Sequence, residues 1–246
     1  MKTGIETCRK RSRLIDMGNE NGMQSMEAKS RILIEHLCAN GVPSRLFGSI
    51  GCWFRTSSET RQRMERDQCS DIDILVKPPK FFAPLGFRKT SRLLEGLGFA
   101  RTSYYPYRGG AKAEFEISGT HVDVYFGQLK FDHDKIDAGI SIPLLPVNWG
   151  QNGSLALPVT YLMLTKLLID EHVRNPTDTI DLCYLISGHE IADETKSDDL
   201  INAKQLQKHF RKVPITREIA RQNILLARNL LSDSFRKEEG LSLIHI

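Results

Sequence analysis

Two short segments of strictly alternating character dominate the sequence. In the stretch 71–76, isoleucine or valine occupies every second position, while Asp71 and Asp73 occupy two of the positions between them. In 121–126, valine and phenylalanine alternate in the same way with polar residues that include Asp123. A period of two is typical of a half-buried strand, whose successive side chains point to opposite faces. The sequence therefore predicts two strands that carry these aspartates on their polar faces.

If the two strands lie in one sheet, Asp71, Asp73 and Asp123 converge. Neighbouring like charges raise the pKa of a carboxyl group, so three close carboxylates resist being ionised together. A divalent cation removes that conflict, and Mg²⁺ prefers oxygen ligands and leaves room for substrate phosphates. These three aspartates are therefore the predicted metal ligands and catalytic residues, with two Mg²⁺ ions as the expected cofactor and Mn²⁺ as the alternative.

A candidate phosphate-binding turn precedes the first of these strands. A short predicted strand, 44–47, leads into Gly48 and Ser49. A glycine lets the backbone turn sharply and approach a phosphate closely, and a serine at a helix N-terminus offers both its hydroxyl and its N–H. Gly48 and Ser49 are thus predicted to bind the phosphates of a nucleotide. The alternative is a plain strand-to-helix turn with a serine cap.

Taken in order, the strand ending in Gly48–Ser49, the helix after it, the Asp-x-Asp strand and the later strand with Asp123 resemble the nucleotidyltransferase superfamily, which has the DNA polymerase beta-like fold. Small AbiEii-like and antibiotic-modifying nucleotidyltransferases are the most similar branch. The resemblance spans roughly residues 30 to 185. It implies an Mg²⁺-dependent enzyme that moves a nucleoside monophosphate from a nucleoside triphosphate such as ATP to an acceptor hydroxyl. Asp123 would bind the catalytic ion and help to take the acceptor's proton.

The resemblance leaves the acceptor open among RNA, protein and a small hydroxylated molecule. The AbiEii likeness favours RNA or protein, as in a toxin–antitoxin pair. A hypothesis from another class is a non-catalytic module of the same fold that binds nucleotide or RNA without transferring it.

A second block of similarity lies in the C-terminal half. After Pro158, the apolar run from Val159 to His172 predicts a helix packed on several sides, and Lys166 interrupts it. The segment 174–182 resembles a conserved block of AbiEii-like proteins, with a threonine where that block usually has lysine. The resemblance implies that Lys166 binds the triphosphate and that Asp178 braces it. The alternative is a buried salt bridge from Lys166 to Asp178 or Asp181 that joins two helices.

The chain departs from the family pattern between Ser49 and Asp71, where twenty-one residues lie. This gap is about twice the usual one, so we expect an extended helix or an inserted loop. It contains the charged run 59–67, for which a solvated helix face is the default interpretation. The functional alternative is that three arginines of the gap contact a phosphate-bearing acceptor: Arg61, Arg63 and Arg66.

A hairpin is predicted just before Asp123. The strand-like stretch 112–117 leads into Ser118–Gly119, a strong two-residue turn signal. Such a turn would place Glu114 across from Asp123, either as a fourth acid near the metals or, as slightly favoured, as a solvent-facing partner of a basic side chain. His121 and Tyr125 share that face and are expected to be structural neighbours as readily as catalytic groups.

The whole chain is expected to be an α/β (α+β) protein with a mixed sheet of about five strands flanked by helices and a C-terminal helical part. The predicted divisions are a loosely ordered leader at 1–25, a catalytic domain at 26–157 and a helical domain at 158–246. Lys and Arg outnumber Asp and Glu by 34 to 30, which suits a triphosphate or RNA partner without demanding one. The five cysteines form no Cys-x-x-Cys pair, which favours a reducing cytoplasm over zinc or redox chemistry. No apolar run approaches the ~18 residues of a membrane span, so no membrane partner is expected.

Overall fold

The computed structural model describes residues 23–63, 69, 71–77, 83–131, 140–142, 147–149, 154–169, 174–212 and 214–234. The helices are α1 (Met23–Ala39), α2 (Gly48–Arg55), α3 (Ser58–Arg63), α4 (Ala83–Gly96), α5 (Val159–Leu167), α6 (Pro176–Gly188), α7 (Ala203–Lys212) and α8 (Pro214–Ser234). The strands are β1 (Ser44–Phe47), β2 (Asp71–Val76), β3 (Ala100–Tyr107), β4 (Gly110–Ile117), β5 (Thr120–Gly127), β6 (Leu129–Phe131), β7 (Ile140–Ile142), β8 (Ile191–Ala192) and β9 (Ile201–Asn202). Most of the predicted leader lies outside the described residues, and its last three positions already belong to α1.

The main sheet has five strands in the order β1-β2-β5-β4-β3. β2 and β5 run parallel, and the other neighbouring strands run antiparallel. The predicted α/β class, with a five-stranded mixed sheet flanked by helices and a C-terminal helical part, is therefore confirmed. β6 with β7 and β8 with β9 form two further two-stranded sheets, neither of which was predicted.

One face of the five-stranded sheet is apolar because every second residue of its central strands is apolar. On β2 and β5 these positions are fully or almost fully buried, from Ile72 and Ile74 to Val122 and Val124. α1 and α4 contact each other, and they also contact strands of this sheet. The buried ammonium group of Lys29, on α1, donates to the Thr120 hydroxyl at 3.0 Å. The alternation predicted for β2 and β5 thus builds part of the core of the protein.

The β4–β5 hairpin closes at Ser118 and Gly119. Both residues have positive φ, 47° and 72°, and Ile117 pairs with Thr120 across the turn. A two-residue turn of this kind matches the right-handed twist of the strands it joins. The predicted two-residue turn is therefore confirmed, and it sets Glu114 opposite Asp123.

The chain divides into two compact units. Among the described residues, the first unit contains α1, β1, the start of α2, β2, α4, β3, β4 and β5. The second unit contains α3, β7, α5, α6, β8, β9, α7 and α8. In the second unit every residue of α5 is buried, and α5 contacts α6, α7 and α8.

α5 ends at Leu167, so the prediction that the helix runs from Val159 to His172 is wrong at its C-terminal end. An amide from α8 binds carbonyl groups at this end of the helix. The Asn223 side chain donates to the carbonyl oxygens of Leu167 at 2.8 Å and Ile169 at 3.1 Å. Carbonyls at a helix end lack partners within the helix, and here a distant side chain supplies them. His172 lies outside the described residues.

The longest described helix, α8, has 21 residues and carries charges along its length. No helix in the described part of the chain is both long enough and apolar enough to cross a bilayer.

Candidate metal and nucleotide site

The parallel pairing of β2 with β5 brings the predicted acids together. In its register Asp73 stands directly beside Asp123, and Asp71 stands beside His121. Residues paired in this way share a face, and so do residues two apart on one strand. Asp71, Asp73 and Asp123 therefore lie on the same polar face of the sheet, opposite the packed core. Their chemical roles remain predictions.

The polar face passes from exposed to buried along β2. Asp71 is exposed, Asp73 is half-buried and Leu75 is fully buried. At the buried end the Tyr125 ring packs edge-on against Phe47, with 5.0 Å between centroids. Burial, followed by the charges of Asp73 and Asp123, raises the pKa of the Tyr125 hydroxyl. Asp71 thus lies at the exposed end of this face, and Asp73 lies between it and the buried end.

Gly48 lies against the Asp73 carboxylate. The strand β1 passes directly into α2 at this residue, whose φ is +59°. A Cβ built on Gly48 would lie only 1.9 Å from Asp73 Oδ2, which is far inside van der Waals contact. Two reasons therefore require glycine at this position: the positive φ angle of the backbone, and the Asp73 carboxylate that leaves no room for a Cβ. The N-terminus of α2, where partial positive charge accumulates, begins beside this carboxylate.

Ser49 is the second residue of α2 and is half-buried. It lies next to the glycine that contacts Asp73, which is the position predicted for a phosphate-binding serine. Its role toward a phosphate, like that of Gly48, stays a prediction.

A lysine neutralises Asp123. Lys112 on β4 places its Nζ 2.7 Å from Asp123 Oδ2 and 2.8 Å from Glu114 Oε1. The ammonium group also lies 5.6 Å from the centroid of the Tyr125 ring. Glu114 accepts a second hydrogen bond, from the Ser103 hydroxyl at 2.5 Å. Glu114 thus has the basic partner that its slightly favoured interpretation expected, and its role as a fourth acid near the metals stays a prediction.

The pKa values of this cluster follow from burial and from these hydrogen bonds. Burial raises the pKa of Asp123, and the neighbouring charges of Glu114 and Asp71 add to the rise, although Lys112 opposes it. Hydrogen bonds from Lys112 and then Ser103 lower the pKa of Glu114. Burial acts to lower the pKa of Lys112, but its hydrogen bonds to Asp123 and Glu114 raise it overall. At neutral pH Lys112 is therefore a cation, and Asp123 is the carboxylate of the pair with the greater proton affinity.

The donor chemistry of the acids fits Mg²⁺. Within the described residues no group of three or more His, Cys, Asp or Glu side chains is arranged as a ready-made metal cage. Mg²⁺ is usually held by one or two carboxylates together with water and substrate phosphates, so a pair of adjacent carboxylates on an open face suits it. Asp73 and Asp123 are that pair, and Asp71 is the next acid on the same face.

His121, which pairs with Asp71 in the register, is largely exposed, and its Nδ1 lies 3.9 Å from Glu116 Oε2. Tyr125 packs on Phe47. His121 and Tyr125 therefore both have contacts of the kind expected of structural neighbours, and a catalytic role for either stays a prediction.

Lys166 belongs to the second unit and is buried there. Its Nζ lies 2.6 Å from Asp178 Oδ1 and 2.7 Å from Asp181 Oδ2. The other oxygen of Asp178 accepts the backbone N–H of Asn175 at 2.9 Å, at the start of α6. The structure thus contains the salt bridge that was the alternative to triphosphate binding, and this bridge joins α5 to α6. A role of Lys166 toward a nucleotide stays a prediction.

The gap between Ser49 and Asp71 contains a second short helix, α3, separated from α2 by Thr56 and Ser57. Arg61 stacks over the Trp53 ring at 4.5 Å and donates to the Trp53 carbonyl oxygen at 2.5 Å. This arginine therefore has an internal role. The side chain of Arg63 and the whole of Arg66 lie outside the described residues.

Comparison with protein-family models gives no match to this chain, and comparison with curated proteins gives none either.

Lys112 was not predicted as a member of the acid cluster. The signal was present, because Lys112 precedes Glu114 by two residues in an alternating strand and must share its face. The same hairpin turn that sets Glu114 opposite Asp123 brings Lys112 within reach of both acids.

Proposed function

We propose that this protein is an Mg²⁺-dependent nucleotidyltransferase that moves a nucleoside monophosphate from a nucleoside triphosphate to an acceptor hydroxyl. The observation that carries the proposal is the pairing of Asp73 with Asp123 on adjacent parallel strands, with Gly48 closing directly on Asp73. This arrangement offers two carboxylates on an open face next to a helix N-terminus. Carboxylates suit the ion, and the backbone N–H groups of a helix N-terminus suit a phosphate.

The chain's own groups have distinct tasks in this proposal. Asp73 and Asp123 hold the ion, and the backbone at Gly48 and Ser49 binds the terminal phosphates. Bound Mg²⁺ stabilises the charge on the transferring phosphoryl group and on the leaving pyrophosphate. The acceptor oxygen forms a bond to the α-phosphorus while the bond from that phosphorus to the β-phosphate oxygen breaks. Asp123 takes the hydroxyl proton.

The direct test is transfer of label from each α-labelled nucleoside triphosphate, with Mg²⁺, to total RNA, to protein or to a small hydroxylated acceptor. We expect wild-type protein to label one acceptor class. Asp73→Asn and Asp123→Asn are each expected to reduce transfer by at least a hundredfold, because the remaining carboxylate cannot hold the ion alone.

Asp193→Asn is the matched control. Asp193 is exposed and lies in the second unit, and its carboxylate has no hydrogen bond or ion pair among the described residues. The Asp193→Asn variant should transfer label as well as the wild type does. Unimpaired transfer by both Asp73→Asn and Asp123→Asn, with their folds intact, would contradict the proposal.

A second candidate is a non-catalytic module that binds nucleotide or RNA. The favouring observation is that Lys112 already neutralises Asp123 through a 2.7 Å ion pair, so the acids are compatible without a metal ion. In the same assay a module retains labelled nucleotide but gives no labelled acceptor. The two candidates are therefore separated by product formation.

A further inference from the structure

Lys112 occupies the position that competes most directly with a metal ion. Its ammonium group lies 2.7 Å from Asp123 and 2.8 Å from Glu114, and its side chain is three-quarters buried. Glu114 is in turn fixed by the Ser103 hydroxyl. The cation is thus held in one geometry by two acceptors, one of which is itself anchored to the neighbouring strand β3.

Without Lys112, Asp123 and Glu114 would lose the cation that they share. Asp123 has Asp73 beside it on one strand and Glu114 beside it on the other. Adjacent carboxylates resist ionisation together, and a partly buried charge needs an opposite charge close to it. A single lysine between Asp123 and Glu114 meets that need while no divalent ion is present.

We infer that Lys112 is the tethered counter-ion of this acid site, which neutralises Asp123 in the metal-free protein and is displaced from it when a divalent cation binds. The inference rests on the metal site of the proposed function. A divalent ion bound to the Asp123 carboxylate would repel the ammonium group that lies 2.7 Å from its Oδ2, so we expect binding to break the contact from Lys112 to Asp123. Lys112 then keeps its ion pair with Glu114 and stays close to Asp123. In this role it is a positioning residue that acts through Asp123 and sets the metal concentration at which the site fills.

The test is a calorimetric titration of nucleotide-free protein with Mn²⁺, for the wild type, Lys112→Met and Lys112→Arg. Lys112→Met removes the competing charge, so we expect Mn²⁺ affinity to rise about tenfold, the equivalent of one charge-assisted hydrogen bond. Lys112→Arg keeps the charge and should stay within about threefold of the wild type. Lys112→Gln, which is neutral but retains a hydrogen-bond donor, is the second variant in case the methionine protein does not fold.

Thermal unfolding in the same samples supplies a second readout. Without metal, Lys112→Met should melt below the wild type, because its carboxylates repel one another. Mn²⁺ should raise its melting temperature by more than it raises that of the wild type. A lysine with a purely structural role would lower the melting temperature without changing Mn²⁺ affinity.

Equal or weaker Mn²⁺ binding by the neutral variants, or no binding by any of the proteins, would overturn the inference. The test is independent of transfer because no nucleotide is present. If Mn²⁺ binds more tightly to Lys112→Met but no label is ever transferred, the proposed function is wrong, whereas the role of Lys112 as counter-ion is supported. If label is transferred but Mn²⁺ affinity is the same in the Lys112 variants as in the wild type, only the role of Lys112 as counter-ion is wrong.

Discussion

Gly48 shows how far a single residue can be interpreted from the sequence. Its position at a strand-to-helix junction was predicted, and a backbone of φ +59° explains why glycine stands there. The second reason could not be predicted, because it comes from Asp73, twenty-five residues further along the chain. Local backbone needs leave a signal in the sequence, whereas the close approach of a distant carboxylate does not. Lys112 is the opposite case: it was not predicted as a member of the cluster, although the alternation of β4 is enough to place it on the face of Glu114.

Gly48→Ala is expected to damage both stability and the acid site. Alanine at positive φ costs about 1–2 kcal/mol, and the added methyl group must also displace the Asp73 carboxylate. We expect a lower free energy of unfolding in urea and at least a tenfold loss of label transfer, since Asp73 no longer lies beside Asp123.

Gly96→Ala is the matched control for this substitution. Gly96 is the last residue of α4, and a Cβ built on it meets nothing within 4 Å. Its stability should stay the same or rise slightly, because alanine is the better helix former. If Gly48→Ala has the same free energy of unfolding and the same label transfer as Gly96→Ala, the close packing of Gly48 on Asp73 contributes to neither stability nor the acid site.

At the scale of elements, β2 and the β4–β5 hairpin were predicted well because the alternation of their strands is strict and the hairpin turn has specific residues. α5 was predicted too long. Its apolar run continues past Leu167, but the helix ends there, and the Asn223 side chain donates hydrogen bonds to the carbonyl oxygens of Leu167 and Ile169. Asn223 lies fifty-six residues from Leu167, so no local pattern encodes that ending. The short pair β8 and β9 has two residues per strand, which is too short for any periodicity.

The ion pair between α5 and α6 belongs to this scale, and Lys166→Met is the substitution that tests it. Lys166 is 4% exposed and lies between two carboxylates, so its removal takes away the cation that pairs with both Asp178 and Asp181. Breaking a buried pair in this way costs about 3–5 kcal/mol of unfolding free energy. Urea unfolding measures the loss.

Lys204→Met provides the comparison on the surface of the same unit. Lys204 pairs with Glu194 at 3.1 Å, but both side chains are more than two-thirds exposed. Its loss should cost less than about 1 kcal/mol. Should Lys166→Met prove no more costly than Lys204→Met, the ion pair would not be what joins α5 to α6.

At the scale of the whole molecule, the order of the five strands depends on the parallel contact between β2 and β5. The sequence predicted that both strands carry acids on a polar face, but their adjacency was an assumption, because parallel partners are distant in the chain. The structure supplies it, with Asp73 opposite Asp123 in the register. The division into two compact units likewise depends on packing among distant segments. A function for the chain therefore rests on one juxtaposition, made by two strands that lie fifty residues apart.

The most direct measurement is anomalous diffraction from crystals grown with Mn²⁺ and a non-hydrolysable nucleoside triphosphate. Mn²⁺ scatters anomalously and replaces Mg²⁺ on oxygen ligands. We predict a peak about 2 Å from carboxylate oxygens of both Asp73 and Asp123, with the triphosphate at the N-terminus of α2 and Lys112 withdrawn from Asp123. A bound nucleotide with no metal peak at either acid, or with the metal held elsewhere, would contradict the account.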